Sequence, residues 1–194
     1  MTTYETIMKK IADKTITVGI IGLGYVGLPL AVSFARKGVK VLGFEKSEKK
    51  AELVNAGKNY IGDIKDDELA AVVSGKLLSA TTDFSRLAEC EAAIICVPTP
   101  LDKFKKPDMS YIEASCRDIG RYMKKGTFVS LESTTYPTTT EDLMKPIIEK
   151  ESGLKEGADF WLCFSPERVD PGNKDYKTDN TPKVVGALGN EART

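Results

Sequence analysis

Residues 16–27 read ITVGIIGLGYVG, and this stretch decides the fold. The run Ile16–Ile21 has the length and β-branched content of a buried strand, and it ends on glycines. Gly22-Leu23-Gly24-Tyr25-Val26-Gly27 then supplies a G-x-G-x-x-G pattern where that strand passes into a helix predicted over Val26–Lys37. In this setting each glycine has its own reason. Gly22 permits the tight turn, Gly24 lets the backbone approach a pyrophosphate, and Gly27 lets the helix pack closely on the strand, with helix-end amides facing the phosphates. Tyr25 and Val26 are expected to line the same site. The glycines alone would also suit a plain turn. Glu45 gives them weight, because it ends the next strand, Val39–Phe44, about 20 residues on, where a carboxylate can bind both ribose hydroxyls. A carboxylate there repels and crowds the 2′-phosphate of NADP, so the predicted cofactor is NAD. Lys46 and Lys50 stand near Glu45 in the sequence, either as part of that site, where Lys50 is the candidate contact, or as solvated helix residues.

Outward from this motif the chain alternates strand with helix. A short helix is predicted over Thr3–Ala12, helices over Lys46–Asn55 and about Asp66–Ser74, and strands near Leu77–Ala80 and at Ala92–Val97. Pro98 and Pro100 stop that last strand. Asp108 reads as the N-cap of a helix over Met109–Met123, followed by Gly126 and a strand at Thr127–Glu132. After a further helix comes a sixth strand, Phe160–Phe164, and PKVVGALGNEART then reads as a strand and a helix start. Continuous apolar strands alternating with helices predict an α/β fold, a doubly wound parallel sheet covered on both faces, with residues 1–194 as one Rossmann-like dinucleotide-binding domain: an N-terminal helix in 1–14, then the core and the start of a following helix.

Composition narrows the function classes. With 41% hydrophobic residues in 194, the chain can bury a real core. Lys plus Arg and Asp plus Glu total 28 each, so no global field draws nucleic acid or an anionic membrane surface, and neither is an expected partner. No apolar run of about 18 residues and no signal-peptide core occur, which makes the cytoplasm the expected location. Histidine is absent, and Cys90, Cys96, Cys116 and Cys163 have no clustered metal-ligand spacing, so no metal site is predicted and the cysteines read as reduced core residues.

Four segments in order, GLGYVGLPLA, ICVPTPLDK, SLESTTYPTTTED and FSPERVDPGN, resemble the UDP-glucose/GDP-mannose dehydrogenase family over nearly the whole chain. Within it, the extended forms CVPTPL, ESTTYP and SPERVDPGN are most similar to the members acting on UDP-N-acetylhexosamines, UDP-N-acetylglucosamine foremost, with UDP-glucose as the alternative substrate. The family oxidises the C6 alcohol of a nucleotide sugar to a carboxylate with two NAD, through a cysteine-bound thiohemiacetal and thioester. The resemblance implies that Pro98, Thr99 and Ser133 line the NAD site, and that Thr134, also near the nicotinamide, orients the hydrolytic water. It implies that Glu167 is an acid/base acting through water, and that Arg168 and Val169 belong with Glu167 to the substrate loop. Plainer roles stay open for several of these: strand termination for Pro98, turn chemistry for Thr134, and a surface pair of Glu167 with Arg168.

Three departures qualify the resemblance. The family's nucleophilic cysteine, with the Lys and Asn that assist it, follows a long central helix, and none of the four cysteines here matches that motif. The chain is therefore expected to be inactive alone, a fragment ending before that helix and the substrate-completing domain; the C-terminal half would be its partner, and the whole protein a homo-oligomer. A non-catalytic NAD-sensing module is the alternative from outside the enzyme class. Glu45 stands where the family usually has Asp, and Thr138 where relatives often have glycine, so a positive φ at that position would strain the turn.

Overall fold

The computed structural model describes residues 3–62, 64–168 and 181–189. Strands β1 (Thr17–Ile21), β2 (Lys40–Phe44), β3 (Leu78–Thr81), β4 (Ala92–Ile95), β5 (Phe128–Leu131), β6 (Trp161–Phe164) and β7 (Gly186–Ala187) form one sheet in the order β3-β2-β1-β4-β5-β6-β7. The first six run parallel, with Val18 opposite both Val41 of β2 and Ala92 of β4. The expectation of a parallel sheet is corrected at one edge: β7 is antiparallel to β6, pairing Cys163 with Ala187 and Phe164 with Gly186. A parallel strand would have to enter from the opposite end of the sheet, whereas residues 181–185 approach β6 from its carboxyl end.

Among the described residues, six α-helices accompany the sheet: α1 (Thr3–Ala12), α2 (Gly27–Arg36), α3 (Glu48–Asn55), α4 (Asp66–Ser74), α5 (Ser110–Tyr122) and α6 (Lys145–Ser152). Side chains alternate across each strand, so the sheet has two buried faces. Val18, Ile20, Val41 and Ile94 pack with Leu28 of α2, Val54 of α3 and Leu69 of α4. Ile21, Phe44, Ile95, Val129 and Leu131 pack on the other side with Ile112 and Ile119 of α5 and Ile148 of α6. Each such side chain contributes roughly 1.5–3 kcal/mol by leaving water.

The predicted boundaries hold to within a few residues. The Asp108 cap is corrected: Met109 is the N-cap of α5 and makes no side-chain cap bond, while Asp108, one residue earlier, accepts from Ser110 N–H at 2.9 Å just where the helix begins. Two short elements had no signal, a 3₁₀ turn at Phe84–Glu89 and a π-helical turn at Thr139–Met144, because six residues are too few to display a period. The π turn is entered through Thr138, whose φ of 72° places a β-branched residue in the left-handed region. The helix start foreseen at the end of the chain lies outside the described residues.

Candidate functional site

β1 lies between β2 and β4, and the order reverses there, so the carboxyl ends of these strands open a crevice at the switch point of the sheet. That crevice is a cleft of about 410 Å³. Gly22, Gly24, Tyr25, Val26, Glu45, Lys50 and Pro98, all expected from the sequence, line it. Gly27 lies beneath the floor. A Cβ on Gly27 would sit 1.9 Å from Gly22 O, and one on Gly22, at φ +91°, would sit 2.8 Å from Cys96 O, so both are demanded by the fold itself. A Cβ on Gly24 would meet nothing within 4 Å. Gly24, the glycine of the three with no structural reason to be glycine, thus lines the cleft, which is the arrangement a pyrophosphate requires. The residues fit NAD on that ground.

Glu45 stands at the end of β2, half-buried in the cleft wall. Its two oxygens accept from Leu23 N–H at 3.3 Å and Ser47 N–H at 3.1 Å, which fixes the carboxylate beside the glycine loop. The next peptide of the loop is held too, because Tyr60 Oη donates to Leu23 O at 2.7 Å. Burial, and secondarily the Glu45 charge, push the Tyr60 phenol upward, so it stays a donor. Lys50 Nζ lies 5.7 Å from the centre of the Tyr60 ring, a cation–π contact that engages its charge, while Lys46 also lines the cleft. Phe84, Tyr111 and Ser115 complete the wall and were not anticipated. Tyr111 and Ser115 come from the first turns of α5, and Phe84 from the unforeseen 3₁₀ turn, so only the sheet order could have found them.

The other candidates lie along the same edge of the sheet but outside the cleft lining. Thr99 is half-buried just past β4. Ser133 is buried, and its Oγ donates to Val97 O at 2.7 Å, tying the end of β5 to the segment after β4. Thr134 is exposed beside it. Beyond β6, Glu167 accepts from the Arg168 backbone N–H at 2.7 Å, and the Arg168 side chain is exposed. The other Glu167 oxygen lies 4.0 Å from Lys183 Nζ. Lys183 also pairs with Glu132, a buried carboxylate that sequence reading passed over. Burial chiefly, and then the Glu167 charge, push the Glu132 carboxyl up, against the pull of Lys183. Val169 lies outside the described residues.

All four cysteines are buried free thiols. Burial raises Cys90 and Cys116 to about 12 and Cys163 to about 11, and raises Cys96 as well, so their thiolates are suppressed at neutral pH. Among the described residues no helix is long and apolar enough to cross a membrane.

Residues 16–194 match the model of the UDP-glucose/GDP-mannose dehydrogenase family, NAD binding domain. The UDP-N-acetyl-D-glucosamine 6-dehydrogenase of Pseudomonas aeruginosa is 38% identical over 172 residues, which are 89% of this chain and 40% of that protein. The UDP-N-acetyl-D-mannosamine dehydrogenase of Pyrococcus horikoshii is 35% identical over 90% of the chain and 42% of its own length. Among solved structures, an NDP-N-acetyl-D-galactosaminuronic acid dehydrogenase from Methanosarcina mazei superposes with a TM-score of 0.88 at 36% identity, over 99% of this chain and 42% of that one. The chain spans about 40% of the length of these relatives.

Proposed function

Because the chain belongs to the UDP-glucose/GDP-mannose dehydrogenase family, we propose that it is the NAD-binding part of a nucleotide-sugar 6-dehydrogenase acting on a UDP-N-acetylhexosamine, UDP-N-acetylglucosamine first, in the cytoplasm. The observation that carries the cofactor half is Gly24 lining the open cleft beside the fixed Glu45 carboxylate. The sugar half is supported by what the relatives act on, by their names.

NAD bound here would accept the hydride from C6. In this reading Gly22 and Gly24 carry the pyrophosphate, Glu45 takes the ribose hydroxyls, and Pro98, Thr99 and Ser133 shape the path toward the nicotinamide. Thr134 orients a water, Glu167 exchanges its proton, and Arg168 and Val169 face the sugar nucleotide. Residues 1–194 act as one cofactor-binding unit, and the covalent chemistry belongs to the rest of a longer, homo-oligomeric protein, since the buried thiols of this chain are poor nucleophiles.

The test is made on the complete protein, with UDP-N-acetylglucosamine compared against UDP-glucose. NAD reduction with a higher kcat/KM for the N-acetylated sugar is expected, and Glu167→Gln should lower kcat by about 100-fold or more with little change in the KM for NAD. Equal or better turnover of UDP-glucose would overturn the sugar assignment. Unaltered turnover in the variant would remove Glu167 from the mechanism.

A further inference from the structure

The carboxyl edge of β5 and β6 holds a charged group of three that the cofactor cleft does not use. Glu132 follows β5, Glu167 follows β6, and Lys183 precedes β7. Their side chains are 7%, 13% and 24% exposed. Two carboxylates so withdrawn from water repel each other and are costly to ionise unless a cation stands between them. Lys183 is that cation: Nζ pairs with Glu132 Oε2 and lies 4.0 Å from Glu167 Oε2. Its place is set by topology. The antiparallel pairing of β7 with β6 turns residues 181–185 back over the strand ends, carrying Lys183 to a carboxylate 51 residues earlier.

We propose that Lys183 is a positioning residue for Glu167, its ammonium bridging the Glu132 and Glu167 carboxylates so that Glu167 is held in one orientation. The inference rests on the reading of Glu167 as the acid/base group. The remaining donors suit this role. Ser130 Oγ donates to Glu132 at 3.3 Å, and the Arg168 backbone N–H donates to the second oxygen of Glu167, so each carboxylate is held from two sides. The other titratable groups facing the cluster among the described residues are Cys96, just past β4, and Cys163, on β6. Burial keeps both thiols protonated at neutral pH, so neither adds charge to the cluster. Lys183 lies after all four recognisable motifs, and no local pattern marks it.

The carboxyl carbons of Glu132 and Glu167 are followed by NMR against pH in this chain and in Lys183→Met, Lys183→Arg and Glu132→Gln. Without the ammonium the pair must share a proton, so the upper midpoint of the pair should rise by about one unit or more in Lys183→Met and return in Lys183→Arg. In Glu132→Gln the repelling carboxylate is gone and the midpoint should fall. Midpoints unmoved in Lys183→Met overturn the inference; should that variant not fold, an unmoved midpoint in Glu132→Gln does the same. The titration needs neither NAD nor turnover, so its outcome is independent of the functional reading. In the complete protein the acid limb of the kcat profile should move with the upper midpoint in Lys183→Met. A midpoint that moves while the kcat profile stays put would instead overturn the role of Glu167.

Discussion

Gly24 and Gly27 belong to one loop, yet their surroundings predict opposite responses to the same substitution. A side chain on Gly24 enters open space in the cleft, so Gly24→Val should change stability by no more than about 0.5 kcal/mol while abolishing NAD binding at millimolar concentration. Gly27→Val drives a side chain into the Gly22 carbonyl and should cost about 3 kcal/mol or more, with loss of the fold. Thermal unfolding and calorimetric titration of the two variants check this; retained NAD binding in Gly24→Val would remove the loop from the site. The placement of the glycine loop and Glu45 in one cleft was legible because it follows from the strand–loop–helix connection and the end of the next strand. So was the strain at Thr138, since the sequence puts Thr where the family often has glycine, and φ there is 72°. Phe84, Tyr111 and Lys183 were not legible, because each reaches its partners through sheet order.

At the scale of elements, α1 is tied to the sheet by one buried carboxylate. Glu91, at the entrance to β4, accepts from Lys10 of α1 at 2.7 Å, from Lys124 beyond α5 at 2.8 Å and from Thr17 N–H of β1 at 2.8 Å. Burial alone would raise its pKa, but these three donors outweigh it and bring Glu91 from an ordinary 4.5 down to about 2. A depressed carboxylate contributes stability that is present above 4.5 and lost as pH falls toward 2. Glu91→Gln should therefore destabilise the chain by roughly 1–3 kcal/mol at neutral pH, and the gap between variant and parent should close between pH 4.5 and 2. Denaturant unfolding across that range decides it, and a gap independent of pH would contradict the clamp. Elements with a full period, such as α2, α4 and α5, were readable, as were the apolar strands. A strand was also read in the stretch that holds β7, but not its antiparallel direction, which depends on how the chain returns to the sheet.

At the scale of the molecule, one crevice where β1 parts from β2 and β4 gathers the glycine loop, Glu45 and Pro98, while Thr134, Glu167 and Lys183 occupy the strand ends farther along the same edge. Cofactor recognition and the proposed proton chemistry thus sit side by side on one rigid sheet. The doubly wound, mostly parallel sheet followed from alternating strands and helices, whereas its order 3-2-1-4-5-6 was not read from the sequence, because no local pattern says which strands lie side by side. Which candidates line the cleft and which stand farther along the edge was not legible either, because that depends on where half-buried side chains point. The most direct test of the account is a calorimetric titration of the folded chain with NAD and, in parallel, with NADP. Saturable NAD binding with NADP at least about tenfold weaker is predicted, because on the proposed reading the Glu45 carboxylate, fixed beside the glycine loop, would accept the ribose hydroxyls and repel a 2′-phosphate. NADP binding as tight as NAD, or no saturation by millimolar NAD, would contradict it.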